Sequence, residues 1–381
     1  YVFYGSGDIH LVELEPDLTG EKQGGIRKKL ELKGRPSGLH EGSRVIKHDG
    51  MYYLLFISWP NTGRQEIAYR SKNIEGPYDS KVILKSRFGG FNFAGQGTIV
   101  DGKHGEWYGI MFQDRGGVGR VLTLSPVRWI DGWPMLGDEN YRVPEIMRPY
   151  KSGLPQKGIV LPDEFDGTKL PLNWQWNHNP VDNAWSLTER PGFLRLKTSR
   201  VVPNLYLAPN TLTQRMEGPA CSGYICMDLA KMKDGDCAGL SAFNGDSGVL
   251  TVKKKGKKLI LEMSEQKVTL TEREKAVTNV DEKLIESVDI TKLVNSKQPK
   301  IWLRLDGDFR PNGRRGGRDA ANFYYSFDGE DWTQIGTKDY RMIFDYRRFF
   351  MGTKFGIFNY ATKKTGGYVD VDYFKYTCEE K

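Results

Sequence analysis

The chain has 381 residues, which at about 100–200 residues per domain predicts two domains. The 56 Lys+Arg against 48 Asp+Glu leave a formal charge of +8, too mild at this length to imply a nucleic-acid partner. Hydrophobic residues at 38% and aromatics at 12% can build ordinary cores, which excludes disorder as the overall state, and no apolar run reaches the ~18 residues of a membrane-spanning helix.

The 44 glycines and 18 prolines, with the aromatics, favour many short strands and turns over long helices. The chain opens inside an apolar run, Tyr1-Val2-Phe3-Tyr4, followed by Asp8-Ile9-His10-Leu11-Val12-Glu13-Leu14. Both read as the tail of a repeat unit, so a fragment lacking upstream residues is expected. One fuller copy runs Val45-Ile46-Lys47-His48, a turn at Asp49-Gly50, then Met51-Tyr52-Tyr53-Leu54-Leu55-Phe56, with Gln65-Glu66-Ile67-Ala68-Tyr69 behind it. The next has Thr98-Ile99-Val100, a turn at Asp101-Gly102, then Trp107-Tyr108-Gly109-Ile110-Met111-Phe112 and Arg120-Val121-Leu122-Thr123-Leu124. An apolar strand, an Asp-Gly turn and an aromatic strand make the hairpin signal. Units of this size with about four strands each read as propeller blades. A propeller closes to remove its edges, so the last two to three blades stand here and others are expected upstream.

Segment 151–162, with Gly153, Pro155, Gly158 and Pro162, reads as a linker between residues 1–150 and 163–381. Beyond it, runs such as Leu250-Thr251-Val252, Ile301-Trp302-Leu303 and Phe323-Tyr324-Tyr325 alternate with turn clusters, the pattern of an antiparallel β-sandwich. A short helix is expected near Val280–Ser287. The basic clusters at 253–258 and 310–318 fall on a hairpin turn and a Gly-rich loop, and read as solvated turns rather than nucleic-acid contacts. Cys221, Cys226, Cys237 and Cys378 match no zinc spacing and read as small buried residues in preference to a disulfide.

Several segments, taken together, resemble a known family. They are Arg35-Pro36-Ser37-Gly38-Leu39-His40-Glu41-Gly42-Ser43, Ala94-Gly95-Gln96-Gly97, Gln113-Asp114-Arg115-Gly116-Gly117-Val118-Gly119-Arg120 and Asp131-Gly132-Trp133-Pro134. In this order they resemble the third to fifth blades of glycoside hydrolase family 43, five-bladed β-propeller enzymes acting on xylans and arabinans. The second half resembles the concanavalin-like sandwich of its β-xylosidase-type members, through Asp163-Glu164-Phe165-Asp166-Gly167, Trp185-Ser186-Leu187-Thr188-Glu189-Arg190, Tyr325-Ser326-Phe327-Asp328-Gly329 and Asp370-Val371-Asp372-Tyr373-Phe374.

The resemblance implies an all-β fold and an exo-acting β-xylosidase or α-L-arabinofuranosidase, periplasmic or secreted in a bacterium, acting on xylo- or arabino-oligosaccharides with no cofactor in the chemistry. It implies an inverting mechanism, in which one carboxylic acid protonates the leaving oxygen and a second carboxylate activates water. Glu41 matches the general acid. The base and the pKa-tuning aspartate belong to the first two blades and have no counterpart here, so this chain alone is expected not to hydrolyse. A non-catalytic carbohydrate-binding protein on the same scaffold is the alternative, and an unrelated propeller–sandwich interaction protein a third. Arg120 matches a sugar-binding arginine, or else is a surface arginine paired with a neighbouring blade. Gln96 stands where many members carry a channel-facing histidine near a bound cation or water; a glutamine cannot be an imidazole ligand to a pore metal but can orient water at the substrate, or else is a satisfied polar residue at a strand start. His40 is read as capping the loop rather than binding substrate. Trp59 and Phe93 stack on sugar faces or pack between blades. Phe349 and Phe350 match an aromatic loop that closes the pocket, with sandwich core as the other reading. Asp163 and Asp166, with Asp370 and Asp372, are carboxylates of the first and last sandwich strands and suit a structural Ca²⁺, unless they are simply solvated.

Overall fold

The computed structural model describes residues 1–149, 153, 158–274, 276–313 and 316–379. Residues 151, 152 and 154–157 of the linker segment 151–162 therefore lie outside the described residues. Among those described there is no α-helix, only 3₁₀ turns at Gly116–Val118, Asp182–Ala184 and Leu205–Leu207, and no helix long and apolar enough to cross a membrane. The chain divides into two units. The first comprises Tyr1–Arg115, Arg120–Leu154 and Gly313–Gly316; the second comprises Gly116–Gly119, Pro155–Asn312 and Gly317–Lys381.

The first unit holds three antiparallel sheets in chain order. β1 (Val2–Tyr4), β2 (His10–Val12) and β3 (Arg27–Lys29) form a three-stranded sheet. β4 (Leu39–His48), β5 (Met51–Trp59), β6 (Gln65–Ser71) and β7 (Asp79–Leu84) form a four-stranded meander. β8 (Gly97–Asp101), β9 (Trp107–Asp114), β10 (Arg120–Ile130) and β11 (Trp133–Leu136) form the next. Asp49-Gly50 joins β4 to β5 with φ of 46° and 75°, both in the left-handed region that a two-residue hairpin turn requires.

The middle sheet is buried on both faces. Leu54, Phe56, Ile67 and Tyr69 pack on Ile9, Leu11 and Leu30 of the first sheet side. Leu55, Ala68 and Leu84 pack on Ile99, Met111, Val127 and Leu136 of the third. Successive strand residues point to opposite faces, so β5 must be apolar at consecutive positions, whereas β9 alternates between buried and half-buried. Each buried Leu or Phe contributes about 1.5–3 kcal/mol. Tyr53 Oη donates to the Gly132 carbonyl at 2.8 Å, pinning the middle sheet to the third.

The second unit packs two seven-stranded sheets. One centres on Asp236–Phe243, Ser247–Lys255 and Lys354–Ala361, the other on Ala220–Asp228, Lys300–Asp308 and Tyr368–Cys378. Phe355 of the first and Phe374 of the second meet edge to face at 5.4 Å in the core between them. Gly223 sits beneath this contact, since a Cβ there would lie 2.7 Å from the Phe355 ring.

The helix expected near Val280–Ser287 is instead part of a long strand, Val277–Asp289, paired with Lys258–Leu270. Val280, Leu284 and Val288 recur every four residues, a spacing that fits one helical face and equally one face of a strand. The available neighbour strand decides between them. As an edge strand it is largely exposed and carries Asp281, Glu282, Lys283 and Glu286, charges that discourage pairing with another chain.

Candidate active site

β4 carries a bulge between Glu41 and Arg44, where the register with β5 shifts. Gly42 takes φ of 75°, and a Cβ on it would lie 2.2 Å from the Gln96 amide nitrogen. Only glycine lets the Gln96 side chain lie against the bulge. A bulge re-aims the neighbouring side chain, here Glu41, which remains half-buried. His40 and Glu41 then face opposite ways, as adjacent strand residues must.

His40 is fully buried, stacked on Phe56 at 4.5 Å and edge-on to Tyr69 at 5.5 Å. Burial first, and the Arg35 charge second, hold its imidazole down at about 4, so it is neutral at neutral pH. Its carbonyl accepts from the Gly7 N–H at 2.7 Å. His40 is therefore a core residue between the first two sheets, neither a solvent-side cap nor a substrate ligand.

Glu41, Ile57 and Glu66 lie in one row across β4, β5 and β6. Directly paired residues share a face, so the two carboxylates flank Ile57 on backbones about 10 Å apart. Glu66 is completely buried. Its Oε2 accepts the Gln96 backbone N–H at 2.6 Å, and its Oε1 is buried without a partner among the described residues. Burial pushes this carboxyl up to about 8, against the weaker opposing pulls of the Gln96 N–H and the Arg44 and Arg64 charges. Gln96 has φ of 64°, a conformation uncommon outside glycine, and the Glu66 bond holds it there.

Glu66 has a measurable consequence. The unfolded chain releases its proton near 4.5, the folded chain only near 8. The folded state thus holds the extra proton in between, and stability falls as pH rises through that window. Glu66→Gln keeps an acceptor for Gln96 and cannot ionise, so urea midpoints from about pH 5 to 9 should flatten. A variant as pH-sensitive as the parent would remove Glu66 as the source.

A second group of residues adjoins this row. Gly95 has no side chain, and the Arg64 stem passes where a Cβ would come within 3.1 Å. The Arg64 guanidinium lies 4.4 Å from the Trp59 ring centroid and 5.2 Å from that of Phe112. Its Nη2 is bonded to Asp114 Oδ2, and Arg120 Nε donates to Asp114 Oδ1 at 3.0 Å. Arg120 also stacks on Phe112 at 4.1 Å. One carboxylate therefore clamps two arginines, one nearly buried and one a third exposed. Trp59 remains exposed beneath Arg64, and Phe93 packs on the Gly63 backbone and under Arg87.

Of the residues read from sequence, the structure brings together Glu41, Gln96, Arg120 and Trp59, with Phe93 close by at Gly63. Glu66, Arg64 and Asp114 were not foreseen as site residues. A carboxylate within the apolar run Gln65-Glu66-Ile67-Ala68-Tyr69 is the signal that could have found Glu66, because a strand buried on both faces hosts no solvated carboxylate. Phe349 and Phe350 belong to the second unit, on a loop closed by the Asp345–Met351 bridge and braced by Arg347 on the buried Asp345. Phe350 is 51% exposed, so that residue is not sandwich core.

The carboxylates read as calcium ligands lie in different surroundings. Asp163 accepts from Trp174 Nε1 and the Phe165 N–H, both at 2.8 Å, Asp370 is held by Arg190 and Arg195, and Asp372 lies 3.5 Å from Lys300 Nζ. Asp166 is exposed. Asp163 and Asp370 thus have oxygens turned to protein donors, and among the described residues no group of three or more His, Cys, Asp or Glu converges to hold a metal ion.

Residues 1–134 match the family described as glycosyl hydrolases family 43, and residues 162–377 match the beta xylosidase C-terminal concanavalin A-like domain. The chain belongs to glycoside hydrolase family 43. A beta-xylosidase from Formosa agariphila is 30% identical over 88% of this chain and 59% of its own length. A structure described as a bifunctional GH43-CE from Bacteroides eggerthii superposes with a TM-score of 0.84 at 39% identity, over 100% of this chain and 46% of that one. Another, an engineered GH43 glycoside hydrolase displaying endo-xylanase and exo-arabinofuranosidase activity, superposes with a TM-score of 0.83 at 31% identity, over 99% of this chain and 72% of that one. The chain thus spans about half to three-fifths of the length of the first two relatives. As a family 43 chain, its first unit consists of propeller blades and its second is the concanavalin-like sandwich.

Proposed function

We propose that this chain is part of an exo-acting glycoside hydrolase that releases xylose or arabinose units from xylan-derived oligosaccharides, with Glu41 as the general acid. The observation that supports this most is the half-buried Glu41 on a glycine bulge, with Gln96 laid against that bulge and the Arg120–Asp114–Arg64 clamp beyond it. A general acid must be accessible to the leaving oxygen yet partly screened from water. Glu41 meets both conditions, whereas Glu66 is sealed and Asp114 is engaged by two arginines.

Arg120 offers a planar fork to vicinal sugar hydroxyls, held in orientation by Asp114 and Phe112. Trp59 presents an exposed ring suited to a sugar's C–H face. Neither the water-activating base nor the tuning carboxylate is assigned to any residue of this chain.

The intact protein should release the chromophore from aryl β-D-xylopyranoside or aryl α-L-arabinofuranoside. Binding of xylo-oligosaccharides without release of either would overturn the enzyme reading in favour of a carbohydrate-binding protein.

A further inference from the structure

Four cysteines lie in the second unit, and only one pair is placed opposite another cysteine. Cys221, on Ala220–Asp228, is the direct cross-strand partner of Cys378, on Tyr368–Cys378. Cys226 pairs with Trp302, and Cys237 faces Lys253 and Tyr360. Position within the ladder is favourable too. The Glu379 N–H donates to the Ala220 carbonyl at 2.9 Å, so residues 220 and 379 are a hydrogen-bonded pair. The next pair along, 221 with 378, is therefore a non-hydrogen-bonded pair. In such pairs the Cα atoms lie about 4.5 Å apart with side chains close on one face, within the span a disulfide bridges.

Both residues are thiols in this structure. Cys221 Sγ lies on the Gly307 side of its strand, close to the Phe309 ring, and Cys378 Sγ lies 3.7 Å from the Gly218 carbonyl oxygen. Joining them takes rotation about side-chain torsions rather than a backbone shift. Access is asymmetric, because Cys221 is buried and Cys378 is half-buried at the end of the last strand.

We propose that Cys221 and Cys378 are a modification site that forms a cross-strand disulfide with a low-molecular-weight disulfide as oxidant. The thiolate of Cys378 attacks one sulfur of the donor and expels one donor thiolate, giving a mixed disulfide. The thiolate of Cys221 then attacks Cys378 Sγ and expels the second donor thiolate. The two thiol protons pass to the departing thiolates, and the donor gains the two electrons that the cysteines lose. Burial pushes the Cys221 thiol up to about 12, against an opposing hydrogen bond with the Glu217 backbone and with smaller upward pushes from Cys378, Glu217 and Asp306, so this second step is slow in the folded chain. Oxidation during refolding, before the last strand seals Cys221, is faster. The bond ties the final strand to the middle of its sheet and closes a loop spanning most of the sandwich.

The test uses the full chain, reduced, then either incubated folded with glutathione disulfide or refolded in a glutathione redox buffer. Peptide mapping without reductant should show a Cys221–Cys378 cross-link with loss of two hydrogens, formed more completely on refolding. The thermal midpoint of the sandwich should rise by roughly 5–15 °C and return on adding dithiothreitol. Cys378→Ser, at the half-buried position, should fold and show neither the cross-link nor the shift. A persistent glutathione adduct on Cys378 without cross-linking under both regimes, or a bond to Cys226 or Cys237 instead, would overturn the proposal.

Discussion

In the intact protein, Glu41→Gln should lower kcat on xylo-oligosaccharides by about 10²–10⁴-fold while leaving KM nearly unchanged. The glutamine has the shape and hydrogen-bonding reach of the acid but no transferable proton. A sugar leaving group departs as a poor alkoxide unless protonated, so the loss is largest there. An activated aryl leaving group needs little protonation, and its rate should fall far less. That difference between leaving groups is the signature of a lost acid, and a merely structural change would not produce it. The fold should tolerate the substitution, because Glu41 is half-buried and the bulge depends on Gly42 rather than on the carboxylate. Equal loss on both substrate types, or no loss on either, would reject Glu41 as the proton donor. Glu66→Gln serves as the contrast, since its carboxyl is completely buried against the Gln96 N–H and its loss should alter the pH dependence of stability.

The architecture was largely legible because its signals are local. Asp-Gly turns, strands of consecutive apolar residues and aromatic second strands specify hairpins whatever surrounds them. The Val277–Asp289 strand was not legible, because its four-residue apolar spacing belongs to both a helix face and a strand face and only the partner strand resolves it. At the site, Glu41, Gln96 and Arg120 were singled out through the family resemblance. Period-two alternation already separates His40 from Glu41, and that argument alone assigns the histidine to the opposite face. Arg64 and Asp114 were missed for a different reason. They are separated in sequence and joined only by packing of the middle sheet on the third, which a single sequence does not display.

That long-range clamp is where the second large effect is expected. Asp114 is the counter-ion of an arginine whose side chain is only 5% exposed, and Asp114 itself is 14% exposed. Asp114→Asn should destabilise the first unit by about 3 kcal/mol, because an isolated guanidinium held between Trp59 and Phe112 has no water to replace the lost carboxylate. Cation–π contact with the two rings offsets part of the cost, about 1–2 kcal/mol at most. The double variant Arg64→Met with Asp114→Asn should recover much of the loss, since it removes the nearly buried charge together with its counter-ion and leaves only the third-exposed Arg120, which water reaches, without the carboxylate. A double-mutant cycle by urea unfolding should therefore give a coupling energy of about 2 kcal/mol. Coupling below about 0.5 kcal/mol would class the pair with ordinary surface ion pairs. Function should follow by a separate route. Arg120 loses the carboxylate charge that orients its fork and keeps at most an amide acceptor, so Asp114→Asn should raise KM for oligosaccharides more than it lowers kcat, the reverse of the Glu41→Gln pattern.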